Sequence, residues 1–116
     1  MMDELLTLDA FEMWLQAFPD DTSVGVAGSE GYCPLALYLT EKTGVSFLVG
    51  HGRYYEAAFP VLSGRELPEW ATAFVLVVDG LLGTYQSVSR SFALDMLALL
   101  RQGKRAVFHS GGWIAW

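Results

Sequence analysis

The sequence predicts an α+β domain in which three or four helices pack on a small, mainly antiparallel sheet. Two patterns indicate this class: apolar residues recur at three- and four-residue steps beside capping residues, and short alternating runs are separated by glycine turns. Hydrophobic residues make up 53% of the 116-residue chain, which is enough apolar surface to form a core at this length. We therefore expect residues 1–116 to form a single domain.

The first two helices are predicted by their capping residues. Thr7 is expected to cap a helix that carries its apolar residues on one face and ends at Pro19. A second helix is expected to begin at Pro34, because proline is favoured in the first turn. Cys33 would then be its N-cap, and Gly44 would stop it at the C-terminal end.

Two strands and their connection are predicted in the middle of the chain. Residues 45–49 alternate as a half-buried strand does, residues 50–52 form a glycine-flanked loop, and residues 53–59 return until Pro60. The glycine run at residues 25–31 predicts a tight turn. It has no lysine and therefore differs from a phosphate-binding loop.

The C-terminal half predicts two more helices and a pair of short strands. A third helix is expected from Pro68, although its β-branched run at residues 74–78 is equally typical of a buried strand. A fourth helix is expected over residues 91–102, with apolar residues around most of its circumference. Residues 105–116 predict two extended pieces around a glycine turn.

Charge is distributed unevenly along the chain. Residues 1–41 hold eight carboxylates and no lysine or arginine, whereas residues 42–116 hold five carboxylates and seven basic side chains, for a total of −6. This balance disfavours direct nucleic-acid binding, because phosphate backbones repel carboxylates. It allows a basic protein partner, for which Asp20 and Asp21 in a polar turn are candidate contacts.

The sequence predicts a soluble, cytoplasmic protein that does not bind membranes. Its best apolar run, residues 74–82, contains Asp79 and falls short of the roughly 20 apolar residues that a spanning helix needs. The acidic start at Asp3 and Glu4 is unlike a secretory leader. The one cysteine allows no internal disulfide.

Cys33 is the candidate for covalent chemistry. A thiol at a helix N-terminus can be activated by the helix dipole, and a cysteine hydrolase or transferase would pair it with a histidine, either His51 or His109. The alternative is a buried cysteine that packs as a small hydrophobic residue. These residues do not fall at the spacing of metal ligands, so we expect no metal site and no cofactor.

Two aromatic clusters are candidate binding residues. Tyr54 and Tyr55 lie on a predicted edge strand, and Trp113 and Trp116 lie at the end of the sequence. Tyrosine and tryptophan are enriched at the centres of protein interfaces. The alternative is that the final strand packs on the domain and buries both tryptophans.

The leading functional hypothesis is a non-enzymatic protein-interaction module: an adaptor, a regulatory or inhibitory subunit, or a self-associating domain. It rests on the apolar excess, the acidic first third and the lack of a complete catalytic constellation. The second hypothesis is the small thiol-dependent hydrolase or transferase. A third is an acidic decoy for a nucleic-acid-binding protein, which the high aromatic content disfavours.

Overall fold

The computed structural model describes residues 2–59 and 64–102, together with the backbone of residues 106–109 and 112–115. Within these residues the helices are α1 Met2–Leu5, α2 Leu8–Gln16, α3 Pro34–Thr43, α4 Glu69–Leu82 and α5 Arg90–Arg101. The strands are β1 Ser23–Val26, β2 Phe47–Val49, β3 Arg53–Glu56, β4 Arg65–Glu66, β5 Ser87–Ser89, β6 Ala106–His109 and β7 Gly112–Ala115.

All strand pairing among the described residues is antiparallel. It forms three small sheets, in which β1 pairs with β5, β3 lies between β2 and β4, and β6 pairs with β7. The predicted α+β class is confirmed, although the strands form separate small sheets instead of one. The hairpin of β6 and β7 also confirms the two extended pieces predicted near the end of the sequence.

The capping predictions are confirmed at the ends of α2 and α3. The Ala10 N–H donates to Thr7 Oγ1 at 3.1 Å, which satisfies an amide at the start of α2. Cys33 is the N-cap of α3, although its side chain makes no capping hydrogen bond. Gly44 ends α3 in the left-handed conformation, with φ of +75°.

Residues 74–78 are helical, which resolves the ambiguity that their β-branched side chains created. They belong to α4, where the buried positions Ala71, Phe74, Val75 and Val78 recur at three- and four-residue steps. Strand formation would have placed alternate side chains on opposite faces. Burial of one helical face against the core therefore outweighs the modest preference of valine for strands.

Phe11 is at the centre of the core and is fully buried. Its ring centroid lies 5.2–5.9 Å from those of four other aromatic rings, which come from three helices: Trp14, Tyr38, Trp70 and Phe74. The polar atoms of two of these rings are satisfied by the junction of α1 and α2. The Tyr38 hydroxyl donates to the Leu5 carbonyl at 2.6 Å, and Trp70 Nε1 donates to the Leu6 carbonyl at 3.1 Å. The cluster therefore fixes α2, α3 and α4 against one another.

Strand β1 corrects the predicted turn at residues 25–31. The first part of that glycine run pairs with β5, which places Val26 opposite Ser87. A Cβ on Gly25 would lie 2.6 Å from the Pro34 nitrogen. This glycine is therefore required because β1 passes directly against the start of α3.

Two predicted strands are shorter than expected. β2 begins at Phe47, and Val45 is exposed instead of sharing the buried face. β3 ends at Glu56, before the predicted limit at residue 59. A strand pairs only as far as its partner strand extends, and the local sequence does not determine the length of the partner.

Helix α5 supplies two arginines that balance the acidic α2 region. Arg90 is partly buried, and its Nε donates to the Leu15 carbonyl at 3.1 Å while Nη1 donates to Asp20 at 2.8 Å. At the other end of α5, Arg101 forms ion pairs with Asp9 and Glu12. The acidic first third is therefore partly neutralised by basic residues more than 69 positions away.

Arg90→Ala is expected to lower the free energy of unfolding by about 1–3 kcal/mol, because the C-terminal carbonyls of α2 and the Asp20 carboxylate lose a shared donor. Arg101→Ala is the matched control and should cost less, since its ion pairs lie in solvent. Urea unfolding of both variants measures the difference. Equal losses would contradict the capping role of Arg90.

Candidate functional site

An open cavity of about 960 Å³ runs along one face of α4. We call it the α4 groove. Its described lining includes five α4 residues at three- and four-residue steps, which places them on one helical face: Glu69, Thr72, Ala73, Leu76 and Gly80. Gly28, His51 and Thr84 line it from neighbouring loops. The groove is thus formed mainly by the helix face opposite to the one that packs against the core, and the buried Val77 and the partly buried Asp79 also line it.

Asp79 connects α4 to two of the loops that line the groove. Its Oδ1 accepts a hydrogen bond from the Gly28 N–H at 2.9 Å, and its Oδ2 lies 2.9 Å from His51 Nε2. Gly28 follows β1, and His51 lies between β2 and β3. One carboxylate therefore connects the C-terminal part of α4 to the sheet of β1 and β5 and to the sheet of β2, β3 and β4.

Gly28 is required at this junction for two reasons. Its φ is +75°, and a Cβ at this position would lie 2.9 Å from the Thr84 Cα. A hydrogen bond joins the loop after α4 to the loop after β1, because the Tyr85 N–H donates to the Ala27 carbonyl at 2.7 Å. The backbone of the loop after α4 therefore packs directly on the loop after β1.

A smaller cavity of about 50 Å³ brings Cys33 together with His51 and Asp79. Cys33 is only 5% exposed. Burial raises the pKa of its thiol from an ordinary 9.0 to about 11, the backbone amide of Ala36 opposes this effect, and the Asp79 carboxylate adds to it. The described residues include no hydrogen bond between Cys33 and His51. At neutral pH the thiol is protonated and covered, so in this conformation it lacks the thiolate that nucleophilic catalysis requires.

The other predicted site residues are dispersed. Tyr54 is 7% exposed and packs against Phe47, so the expectation that it contributes exposed aromatic surface is corrected. Tyr55 is partly buried, and its hydroxyl donates to Glu30 at 2.6 Å. This hydrogen bond and burial raise the pKa of Tyr55. Asp21 lies exposed in its turn with φ of +60°.

Three predicted residues fall outside what the structure describes. The side chains of His109 and Trp113 lie in strands for which the backbone alone is described, and Trp116 is outside the described residues. Their binding or catalytic roles remain predictions.

The sequence analysis did not identify two exposed residues, one on α4 and one in the loop that follows it. Leu76 is 45% exposed within a run of buried apolar residues, and Tyr85 is 76% exposed in the loop that follows the helix. A signal for Leu76 was present, because it is out of phase with Phe74, Val75 and Val78 on a helical wheel. For Tyr85 the signal was its place just after the Gly83 that ends α4.

Comparison with family models, curated proteins and solved structures finds no match for this chain. Within the part of the chain that the structure describes, no group of three or more His, Cys, Asp or Glu side chains could hold a metal ion. None of the helices there has both the length and the apolar character needed to cross a membrane. Among the described features, the α4 groove is the candidate binding site.

Gly28→Ala is expected to destabilise the protein more than Gly44→Ala. Both glycines have φ of +75°, so each substitution carries the same backbone strain, about 1 kcal/mol. Only the new methyl group at position 28 meets a neighbour, at 2.9 Å, whereas position 44 has nothing within 4 Å. We expect a loss of about 2–4 kcal/mol for Gly28→Ala. Urea unfolding tests this, and equal losses would show that the loops separate easily.

Cys33 is expected to react slowly with iodoacetamide at pH 7 in the folded protein, over hours instead of minutes.

The unfolded chain releases the Cys33 thiol proton at lower pH than the folded chain does. The protonated thiol therefore contributes to the free energy of unfolding below about pH 9, and this contribution is lost as the pH rises towards about 11. The contribution to the free energy of unfolding that is lost is about 3 kcal/mol, from two pKa units at about 1.4 kcal/mol each.

Cys33→Ser is the control for this titration, because serine does not ionise in that range. The free energy of unfolding of wild type should therefore fall relative to that of Cys33→Ser above about pH 9. Rapid stoichiometric labelling at neutral pH would contradict the buried thiol and favour the hydrolase.

Proposed function

We propose that this protein is a non-enzymatic protein-interaction module that holds a segment of a partner protein in the α4 groove. The observation that carries the proposal is the open cavity of about 960 Å³ along one face of α4, which is near the upper end of the range typical of binding pockets. Binding of a peptide segment along a helix-lined groove is a common recognition mode.

The side chains along the groove support this function. Leu76 is a large apolar residue exposed at 45%, and it is flanked one helical turn away by Thr72 and Gly80, which are small. Small neighbours leave space beside Leu76 for a side chain of the partner. Full burial of a leucine side chain contributes about 1.5–3 kcal/mol, so covering the exposed part of Leu76 would supply a useful fraction of binding energy.

Tyr85 provides a second argument from the loop beside the groove. It is 76% exposed with φ of +61°, a conformation that costs a residue with a Cβ about 1–2 kcal/mol. Glycine would adopt this backbone conformation without steric strain. A large aromatic side chain kept in solvent at a strained position is consistent with a contact made outside the fold, because such strain is concentrated at functional sites.

The two other hypotheses have less support. The thiol that a hydrolase would use is buried and protonated at neutral pH. The acids that a nucleic-acid decoy would present are partly paired within the protein, since Arg90 contacts Asp20 and Arg101 contacts Asp9 and Glu12.

Selection of peptides from a random display library on the purified protein tests the proposal. We expect enriched peptides whose affinity falls about tenfold in Leu76→Ser. Met13→Ser is the matched control, because Met13 is also an exposed apolar residue on a helix but does not line the groove. Titration calorimetry measures the affinities. Failure to enrich any peptide, or equal binding by wild type and Leu76→Ser, would overturn the proposal.

Tyr85→Gly separates binding from stability in the same assay. We expect its unfolding free energy to equal or exceed that of wild type, because the strain is relieved, while peptide affinity falls. Unchanged affinity would exclude Tyr85 from the binding surface and leave the groove proposal to the Leu76 result.

A further inference from the structure

We infer that the segment held in the α4 groove is cationic: an apolar anchor residue flanked by lysine or arginine. This inference rests on the proposed function and adds the chemistry of the partner. It comes from the charges of the described residues that line the groove.

The groove is acidic in the part of its lining that the structure describes. Its described lining includes Glu69 and Asp79 but no lysine or arginine, and the adjoining small cavity adds Glu30. His51 lines the groove as well, and its ring is engaged by Asp79. Glu69 is exposed and forms no ion pair with the described residues, so its carboxylate is available to a partner.

The α2 region shows the contrast. Its carboxylates at Asp9, Glu12 and Asp20 are each met by an arginine of α5. Among the described residues, three carboxylates of that region are therefore ion-paired with arginine, whereas Glu69 in the groove has no ion pair. Charge complementarity across an interface raises the association rate and selects against partners of the wrong sign.

A second copy of the chain is a poor fit for this groove. Each copy carries a net charge of −6, so self-association would bring like charges together. A cationic segment instead gains from the long-range attraction of the whole protein and from contact with Glu69. Its apolar anchor would cover Leu76, whose side chain lines the same groove.

The peptides selected on the wild-type protein provide the probe. We expect the enriched sequences to combine an apolar residue with two or more lysines or arginines, and synthetic versions with glutamate in place of those residues to lose binding. Raising the salt from about 0.05 M to about 0.5 M should weaken the cationic peptides about tenfold.

A matched pair of charge reversals locates the effect. Glu69→Lys should weaken the same peptides about tenfold and reduce their salt dependence, whereas Glu66→Lys should change affinity less than about twofold. Glu66 is also exposed, lies three residues earlier on β4 and does not line the groove. The melting temperature of each variant shows whether it is folded.

The outcomes distinguish the inference from the function on which it rests. Enriched peptides that are neutral or acidic, yet sensitive to Leu76→Ser, would overturn the cationic partner and leave the interaction module standing. If no peptide is enriched, both fail. A dimer in light scattering that dissociates when peptide binds would identify a second copy as the occupant and overturn the inference.

Discussion

The packing of aromatic rings around Phe11 is the constraint on which the rest of the structure depends. Trp14, Tyr38, Trp70 and Phe74 contribute the surrounding rings, so one cluster joins α2, α3 and α4. Because α4 presents Phe74 and Trp70 to this cluster, its rotation about its own axis is fixed. The face that carries Leu76 and Gly80 is then necessarily directed away from the core. The position of the groove therefore follows from the position of the core.

Asp79 extends this arrangement from the helix to the sheets. It is one turn of α4 away from Val75 and uses both carboxylate oxygens, one for the Gly28 amide and one for the His51 ring. Asp79 and His51 also line the small cavity that contains Cys33, and burial raises the pKa of the Cys33 thiol. Formation of the groove and suppression of thiol reactivity therefore have a common structural origin.

Electrostatic balance separates two surfaces of the protein. Arg90 and Arg101 satisfy the carboxylates of the α2 region, and Arg90 also caps the C-terminal carbonyls of that helix. The described lining of the groove holds no lysine or arginine; its Asp79 carboxylate contacts His51, and Glu69 forms no ion pair among the described residues. A sequence with a net charge of −6 would be expected to attract basic partners over much of its surface. Among the described residues, part of that charge is offset in the α2 region by these two arginines.

The sequence by itself determined the α+β class and most helix ends, because capping and periodicity act within a few residues. Thr7, Pro34 and Gly44 fix helix boundaries through local geometry. Only the tertiary structure decided the pairing of β1 with β5, the burial of Tyr54 and the raised pKa of Cys33. Each of these depends on groups that are distant in sequence. The groove belongs to this second set, since residues from 28 to 84 form it and no local pattern specifies how their segments meet.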